Sequence, residues 1–189
     1  MAPEAPFPAA VDDAIACYKS LLDDGVDPAK IAIAGDSAGG GLTLACALKA
    51  KEVGLPQPAC LLTISPWADL TNSGWSHEAK SEADPIINQD NINEFASTYL
   101  NGAEPKSPLA SPCHADLSGL APMLIQVGSD ERLLSDSIML AERAGAAGVP
   151  AQLEIWADMI HVWHYFHAFL GDARGAIDGM AQWAERRLA

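Results

Sequence analysis

The residues with the clearest chemical potential lie at positions 35–39, which read Gly-Asp-Ser-Ala-Gly. This Gly-x-Ser-x-Gly pattern follows an apolar run at 31–34 that predicts a buried strand, and it precedes a Leu- and Ala-rich run at 42–51 that predicts a helix. A serine on so sharp a strand-to-helix turn exposes its hydroxyl above the sheet, at the positive end of the helix. We therefore interpret Ser37 as a nucleophile. The alternative is a glycine-rich turn with an incidental serine.

The turn also predicts the backbone around the serine. A Cβ at Gly35 or Gly39 would strike the backbone of the strand or of the helix, so we expect both positions to require glycine. Ser37 itself is expected to adopt a strained conformation, as residues at functional turns often do.

A serine nucleophile needs a base and an acid, and both residue types follow later strands. A predicted strand at 123–127 ends at Asp130 and Glu131, and another at 151–156 is followed by His161. Reactive residues of an open α/β sheet collect beyond the carboxyl ends of its strands. An imidazole can take the proton of a serine, and a carboxylate can hold that imidazole in the right tautomer. The residues alone leave Asp130 and Glu131 both open as the acid.

Other histidines compete with His161. His161, His164 and His167 are spaced by three residues, whereas a helical metal pair is more often four residues apart with an acidic third ligand, so we predict no metal site. His164 and His167 are expected to be packing or surface residues. His77 and His114 lie in an irregular region and are expected to be exposed.

The elements that would position these residues predict an α/β fold. Four predicted strands, at 31–34, 59–65, 123–127 and 151–156, alternate with helical patterns, which indicates parallel strands adjacent in chain order with helices on both faces. The irregular stretch at 67–122 is expected to be a lid or pocket wall. Its Trp67, Trp75 and Phe95 could line an acyl or alcohol pocket, although core packing explains them nearly as well. We expect one domain over 1–189.

The composition of the chain disfavours some classes of binding partner. The chain has 189 residues with 25 acidic and 11 basic side chains, a net charge of −14, which disfavours nucleic acid and anionic membranes. We see neither a membrane-spanning run nor a signal peptide, and the four cysteines have no metal-ligand spacing. A cytoplasmic location is therefore the default expectation.

The chain resembles the bacterial hormone-sensitive-lipase-type branch of the α/β-hydrolases. The resemblance lies in residues 35–40 (Gly-Asp-Ser-Ala-Gly-Gly), 158–161 (Asp-Met-Ile-His), the Pro- and Ala-rich opening at 3–10 and the stretch at 144–150. It implies a truncated α/β-hydrolase fold and a carboxylesterase that hydrolyses short-chain esters without a cofactor. Members usually carry the acid about thirty residues before the histidine, followed two positions later by leucine. Glu131 has both features, so the resemblance favours it over Asp130.

The resemblance also implies an oxyanion hole with several backbone donors. Ala38, the residue after the nucleophile, supplies one N–H, and family members supply others from a His-Gly-Gly-Gly-like loop upstream. The 36 residues before Ser37 contain no such motif, so we interpret the chain as the C-terminal portion of an esterase. We expect weak activity on a small-molecule ester, and self-association through the unprotected edge of the Ser37 strand. The alternatives are a non-catalytic truncated hydrolase module and, within enzymes, an amidase or deacetylase.

Overall fold

One parallel sheet organises the protein, for which a computed structural model describes residues 1–188. Within these residues the strands are β1 (Ala32–Asp36), β2 (Cys60–Ile64), β3 (Met123–Gly128) and β4 (Ala151–Trp156). All three strand pairs are parallel, and the strand order is β1-β2-β3-β4. The predicted topology is confirmed. β1 extends two residues further than predicted, because its ladder with β2 continues to the pair Asp36–Ile64.

Six α-helices in the same part of the chain connect and cover the strands. They are α1 (Ala9–Asp23), α2 (Ala38–Glu52), α3 (Ser76–Ala79), α4 (Gln89–Leu100), α5 (Leu134–Ala146) and α6 (Gly171–Leu188). Helix α6 is not long and apolar enough to cross a membrane, and neither is any other helix among residues 1–188.

The two faces of the sheet have separate cores because side chains alternate along a strand. On one face, α2 and α5 pack against a set that includes Leu61, Met123 and Ile125. On the other face, Trp183 of α6 packs with Leu62 and its neighbours. The prediction of helices on both faces is therefore confirmed.

The long stretch between β2 and β3 packs as a second, smaller cluster beside the carboxyl edge of the sheet. It contains α3, α4 and a 3₁₀ turn at Pro112–His114. Trp67 and Ile92 pack there with Leu133, the residue before α5. The carboxylate of Asp136 accepts the backbone N–H groups of Ala68 and Asp69, at 3.0 and 2.9 Å, which ties the start of the stretch to α5. Its role as a lid or pocket wall stays a prediction.

The outer edge of β1 is bordered by an apolar groove. The groove has a volume of about 340 Å³, and α1, β1 and α2 line it, with Tyr18, Ile33 and Leu42 among the lining residues. β1 is the first strand in the sheet order, and all five of its residues keep some exposure to solvent. The expected self-association at this edge stays a prediction.

Candidate active site

Ser37 occupies the turn between β1 and α2 in a conformation that few non-glycine residues adopt. Its φ and ψ angles are 53° and −120°, so the predicted strain is present. Four backbone hydrogen bonds hold it there. The N–H of Ser37 donates to the Ile64 carbonyl at 2.9 Å, and the Ser37 carbonyl accepts from Gly40 at 3.0 Å, from Gly41 at 3.3 Å and from Trp67 at 2.8 Å. The serine is thus anchored to the end of β2 as well as to its own helix.

The glycines around Ser37 are crowded in a different pattern from the predicted one. A Cβ on Gly35 would lie 2.2 Å from the Gly39 carbonyl oxygen, so glycine is required there, as predicted. A Cβ on Gly39 would meet nothing within 4 Å, and the prediction for that position is wrong. Gly40 and Gly41 are crowded instead, since their Cβ atoms would lie 2.8 Å from the Pro66 Cα and 2.2 Å from the Trp67 carbonyl oxygen, respectively. The first turn of α2 therefore packs tightly against the loop after β2, in addition to the close contact within the serine turn.

This difference predicts opposite effects of two alanine substitutions. Gly35→Ala should lower the free energy of unfolding by about 3 kcal/mol, because the new methyl group overlaps a backbone carbonyl that cannot move freely. Gly39→Ala should leave stability unchanged or raise it by up to about 1 kcal/mol, because alanine suits a helix better than glycine. Urea unfolding of the two variants measures both. Equal destabilisation would contradict the crowding pattern.

His161 reaches Ser37 from the loop after β4. Its Nε2 lies 3.0 Å from the Ser37 Oγ, and the side chain is buried. The loop rests on the end of β3, where the Asp130 N–H donates to the Met159 carbonyl at 3.0 Å. Gly128 permits this approach, since a Cβ there would lie 2.1 Å from the Met159 oxygen. The ends of three strands therefore converge on the imidazole.

Glu131 completes a chain of hydrogen bonds to the serine. Its Oε2 lies 2.8 Å from the His161 Nδ1, and the carboxylate is fully buried. Its other oxygen, Oε1, accepts from the Ser65 hydroxyl at 2.8 Å and from the Gly128 N–H at 2.6 Å. One oxygen is thus anchored by two donors, and the other is left for the imidazole.

Asp130, the other candidate acid, does not face the histidine. Its Oδ1 lies 3.2 Å from the Lys80 Nζ, and about a third of its side chain (34%) is exposed. The structure therefore brings Ser37, His161 and Glu131 together and leaves Asp130 in a partly exposed ion pair. Glu131, the residue that the family spacing favours, is thus the one in contact with His161, and its role as the acid stays a prediction.

Ala38 is the first residue of α2. The first N–H groups of a helix have no intrahelical acceptor, so the Ala38 N–H is available to a ligand atom beside the serine. The helix also places a partial positive charge at this point. These features suit the stabilisation of an oxyanion, although they supply a single identified donor.

His164 is a packing residue and His167 a surface residue, as predicted. The Nε2 of His164 lies 2.8 Å from the Gln126 Oε1, and burial lowers the pKa of His164 to about 4, so the ring is neutral near pH 7. His167 is exposed. Among residues 1–188, no cluster of three or more His, Cys, Asp or Glu side chains is arranged to hold a metal ion.

The expectation for His77 and His114 is wrong. His77 is buried, and its Nε2 lies 3.7 Å from the Asp136 Oδ1. His114 is mostly buried too, with its Nε2 at 3.1 Å from the Asp69 Oδ1. The irregular stretch folds back onto α5 and onto itself, so these two imidazoles lie against the carboxylates of Asp136 and Asp69.

An apolar cavity of about 430 Å³ opens beside Ala38. Its wall is built from the start of α2, the N-terminus, α4 and the loops around it. The lining residues are Met1, Ala2, Ala10, Ala38, Gly39, Gly41, Leu42, Trp67, Leu70, Phe95, Thr98, Tyr99, Leu109 and Ala110. Trp67 and Phe95 are in this wall, as the sequence suggested, whereas Trp75 borders a separate cleft. The cavity lies next to the serine turn and carries no charged side chain.

Sequence reasoning missed one polar residue that touches this site. Ser65 follows β2 directly and is fully buried, with its hydroxyl on Glu131. The rule that identified the other residues, position beyond the carboxyl end of a strand, also applies to Ser65. The partner of its hydroxyl could not be read from the sequence.

Comparisons with known proteins identify the family of the fold. A sequence profile described as alpha/beta hydrolase fold matches residues 1–165. An acetyl-hydrolase of Streptomyces hygroscopicus is 46% identical over 176 residues, which cover 93% of this chain and 59% of the relative. An esterase of Acinetobacter venetianus is 35% identical over 185 residues, which cover 97% of this chain and 61% of the relative. The chain thus spans about three-fifths of the length of these relatives.

Solved structures give the same result. The crystal structure of an esterase from the bacterial hormone-sensitive lipase family superposes with a TM-score of 0.98 at 44% identity, and the match covers 100% of this chain and 64% of that one. A hormone-sensitive lipase from a metagenome library superposes with a TM-score of 0.97 at 52% identity, covering 99% and 64%. The resemblance found in the sequence is confirmed. The chain belongs to the α/β-hydrolase fold family, in the branch that contains the bacterial hormone-sensitive-lipase-type esterases.

Proposed function

We propose that the chain carries the catalytic triad of a serine carboxylesterase that hydrolyses short-chain esters. The observation that carries the proposal is the continuous hydrogen-bonded path from the Ser37 Oγ through His161 to the Glu131 carboxylate, with distances of 3.0 and 2.8 Å. In this role Ser37 is the nucleophile, His161 the general base and then acid, Glu131 the orienting carboxylate and Ala38 an oxyanion donor.

The acylation step follows from these positions. His161 takes the Ser37 proton on Nε2 as the Oγ attacks the ester carbonyl carbon. The carbonyl oxygen becomes an oxyanion, which the Ala38 N–H and the N-terminus of α2 stabilise. The imidazolium then gives its proton to the departing alcohol oxygen, leaving an acyl group on Ser37. Water, deprotonated by the same imidazole, releases the acid and restores the serine.

Glu131 contributes without becoming protonated. Its Oε2 accepts from the His161 Nδ1–H, which places the lone pair of the imidazole on Nε2, facing Ser37. It also stabilises the imidazolium formed during the reaction. The mechanism uses only protein groups and water, and it needs no metal or cofactor.

The cavity beside Ala38 supports an uncharged ester of modest size. All of its lining side chains are uncharged, and most are apolar, so it suits the apolar acyl or alcohol part of a small-molecule ester. We propose that the stretch at 67–122 serves as a wall of this cavity, through Trp67, Leu70 and Phe95 among others. The name of one relative, esterase, also favours esters over amides.

The second candidate is a hydrolase-fold module without catalytic activity. Its support is that Ala38 is the single oxyanion donor identified in this chain, together with the exposed edge of β1. An amidase or deacetylase would use the same three residues.

An ester series tests the proposal and separates it from this alternative. With p-nitrophenyl acetate, butyrate and decanoate, we expect Ser37-dependent release that is faster for the two short esters. The rate should be low, because the lack of one oxyanion donor costs about a hundred- to thousandfold in turnover. Ser37→Ala is the blank. Release no faster than the blank with every ester would favour the non-catalytic module, and a preference for decanoate would contradict the substrate class.

A further inference from the structure

Ser65 occupies an unusual backbone position next to the triad. It lies between β2 and Pro66, is fully buried, and has a φ of 46°, in the left-handed region that favours glycine. Residues before proline normally adopt extended conformations, so this conformation is disfavoured on two grounds. Its N–H donates to the Gln126 carbonyl at 2.7 Å, which fixes the residue to the end of β3. The backbone alone would be better served by glycine.

The hydroxyl of Ser65 joins both sides of the Glu131–His161 pair. It donates its one proton to the Glu131 Oε1 at 2.8 Å. It also accepts from the N–H of Val162, the residue directly after His161, at 3.1 Å. One buried hydroxyl therefore contacts the carboxylate and the backbone that carries the imidazole.

We propose that Ser65 is a positioning residue for the esterase reaction, holding Glu131 and the His161 loop in the geometry that activates Ser37. This inference rests on the proposed function above. Ser65 does not touch the reacting atoms. It acts through Glu131, whose Oε1 it shares with the Gly128 N–H, so that Oε2 is directed to the His161 Nδ1.

Removal of the hydroxyl would loosen both partners at once. Glu131 would keep a single anchoring donor on Oε1, and its carboxylate could rotate away from the line to His161. The Val162 N–H, which lies in a buried residue, would lose its acceptor. Small displacements of reacting groups cost much more in rate than in binding, because the aligned geometry is needed only for the chemical step.

Two substitutions at Ser65 separate positioning from folding. Ser65→Ala and Ser65→Gly both remove the hydroxyl, but glycine relieves the left-handed backbone, so the glycine variant should be the more stable of the two. If the hydroxyl positions the triad, both should lose about ten- to a hundredfold in kcat, with KM unchanged. Ser137→Ala is the matched control, because Ser137 is also fully buried and its hydroxyl contacts only the Leu133 carbonyl, at 3.4 Å.

The measurements are kcat and KM for p-nitrophenyl acetate and the midpoint of urea unfolding, for the unmodified chain and the three variants. We expect the two Ser65 variants to share one reduced kcat despite different stabilities, and Ser137→Ala to retain its kcat. The inference would be overturned if kcat followed stability across all three variants, or if the Ser65 variants kept the kcat of the unmodified chain. Either result would leave the proposed function intact. Absence of Ser37-dependent turnover in the unmodified chain would overturn both.

Discussion

His161→Ala is expected to reduce ester hydrolysis to the level of the Ser37→Ala blank. The imidazole is the group placed to take the Ser37 proton, with its Nε2 at 3.0 Å from the Oγ, so without it the serine stays a weak nucleophile. In serine hydrolases the loss of such a residue costs about a millionfold in kcat. Initial rates with p-nitrophenyl acetate, measured beside the Ser37→Ala protein, test this expectation.

His167→Ala is the matched control for this experiment. His167 lies six residues further along the same segment, is exposed, and has its Nδ1 at 3.2 Å from the His164 carbonyl oxygen. The variant should retain its kcat. If it lost as much activity as His161→Ala, the assignment of the base to His161 would be wrong.

Glu131→Gln should cost about ten-thousandfold in kcat, the loss seen when the acid of a serine triad becomes an amide. The reason lies in the two donors on Oε1, the Ser65 hydroxyl and the Gly128 N–H. They require an acceptor, so a glutamine would place its carbonyl oxygen there and its NH₂ group toward His161. The imidazole would then accept on Nδ1 and carry its proton on Nε2, where it cannot receive the proton of Ser37. Steady-state kinetics of the two proteins measures the loss.

Asp130→Asn is the control for Glu131→Gln, because it removes a negative charge from the same loop without changing the residue that contacts His161. Asp130 is partly exposed and forms an ion pair with Lys80. Ion pairs near the surface contribute little to the free energy of unfolding. We expect the kcat of Asp130→Asn to stay near that of the unmodified protein. An equal or larger loss in Asp130→Asn than in Glu131→Gln would contradict the hydrogen-bond pattern of the structure.

Much of the fold and of the site could be predicted because local patterns are sufficient for both. Apolar runs of strand length separated by helical patterns indicate a parallel sheet, and in such a sheet every strand delivers its following loop to the same edge. That rule places Ser37, His161 and the pair Asp130 and Glu131 at one edge. The preference for Glu131 over Asp130 needed the family spacing, because adjacent residues of a loop can face opposite ways.

The features that could not be predicted depend on contacts between distant segments. The crowding at Gly41 comes from the Trp67 carbonyl, in the loop after the next strand. His77 is buried because its segment folds onto Asp136, which no local pattern shows. The contact of Ser65 with Glu131 joins residues 66 positions apart. Periodicity and turn chemistry report on neighbours along the chain, so they leave such contacts undetermined.

The most direct test of the central claim is whether Ser37 is chemically activated. A fluorophosphonate reacts with a serine whose proton is withdrawn by a neighbouring base, and it does not react with an ordinary serine. After incubation of the 189-residue chain, tryptic mass spectrometry should place the adduct on Ser37, and His161→Ala should abolish it while His167→Ala preserves it. An unlabelled chain, or an adduct on Ser37 that forms equally fast without His161, would contradict the account.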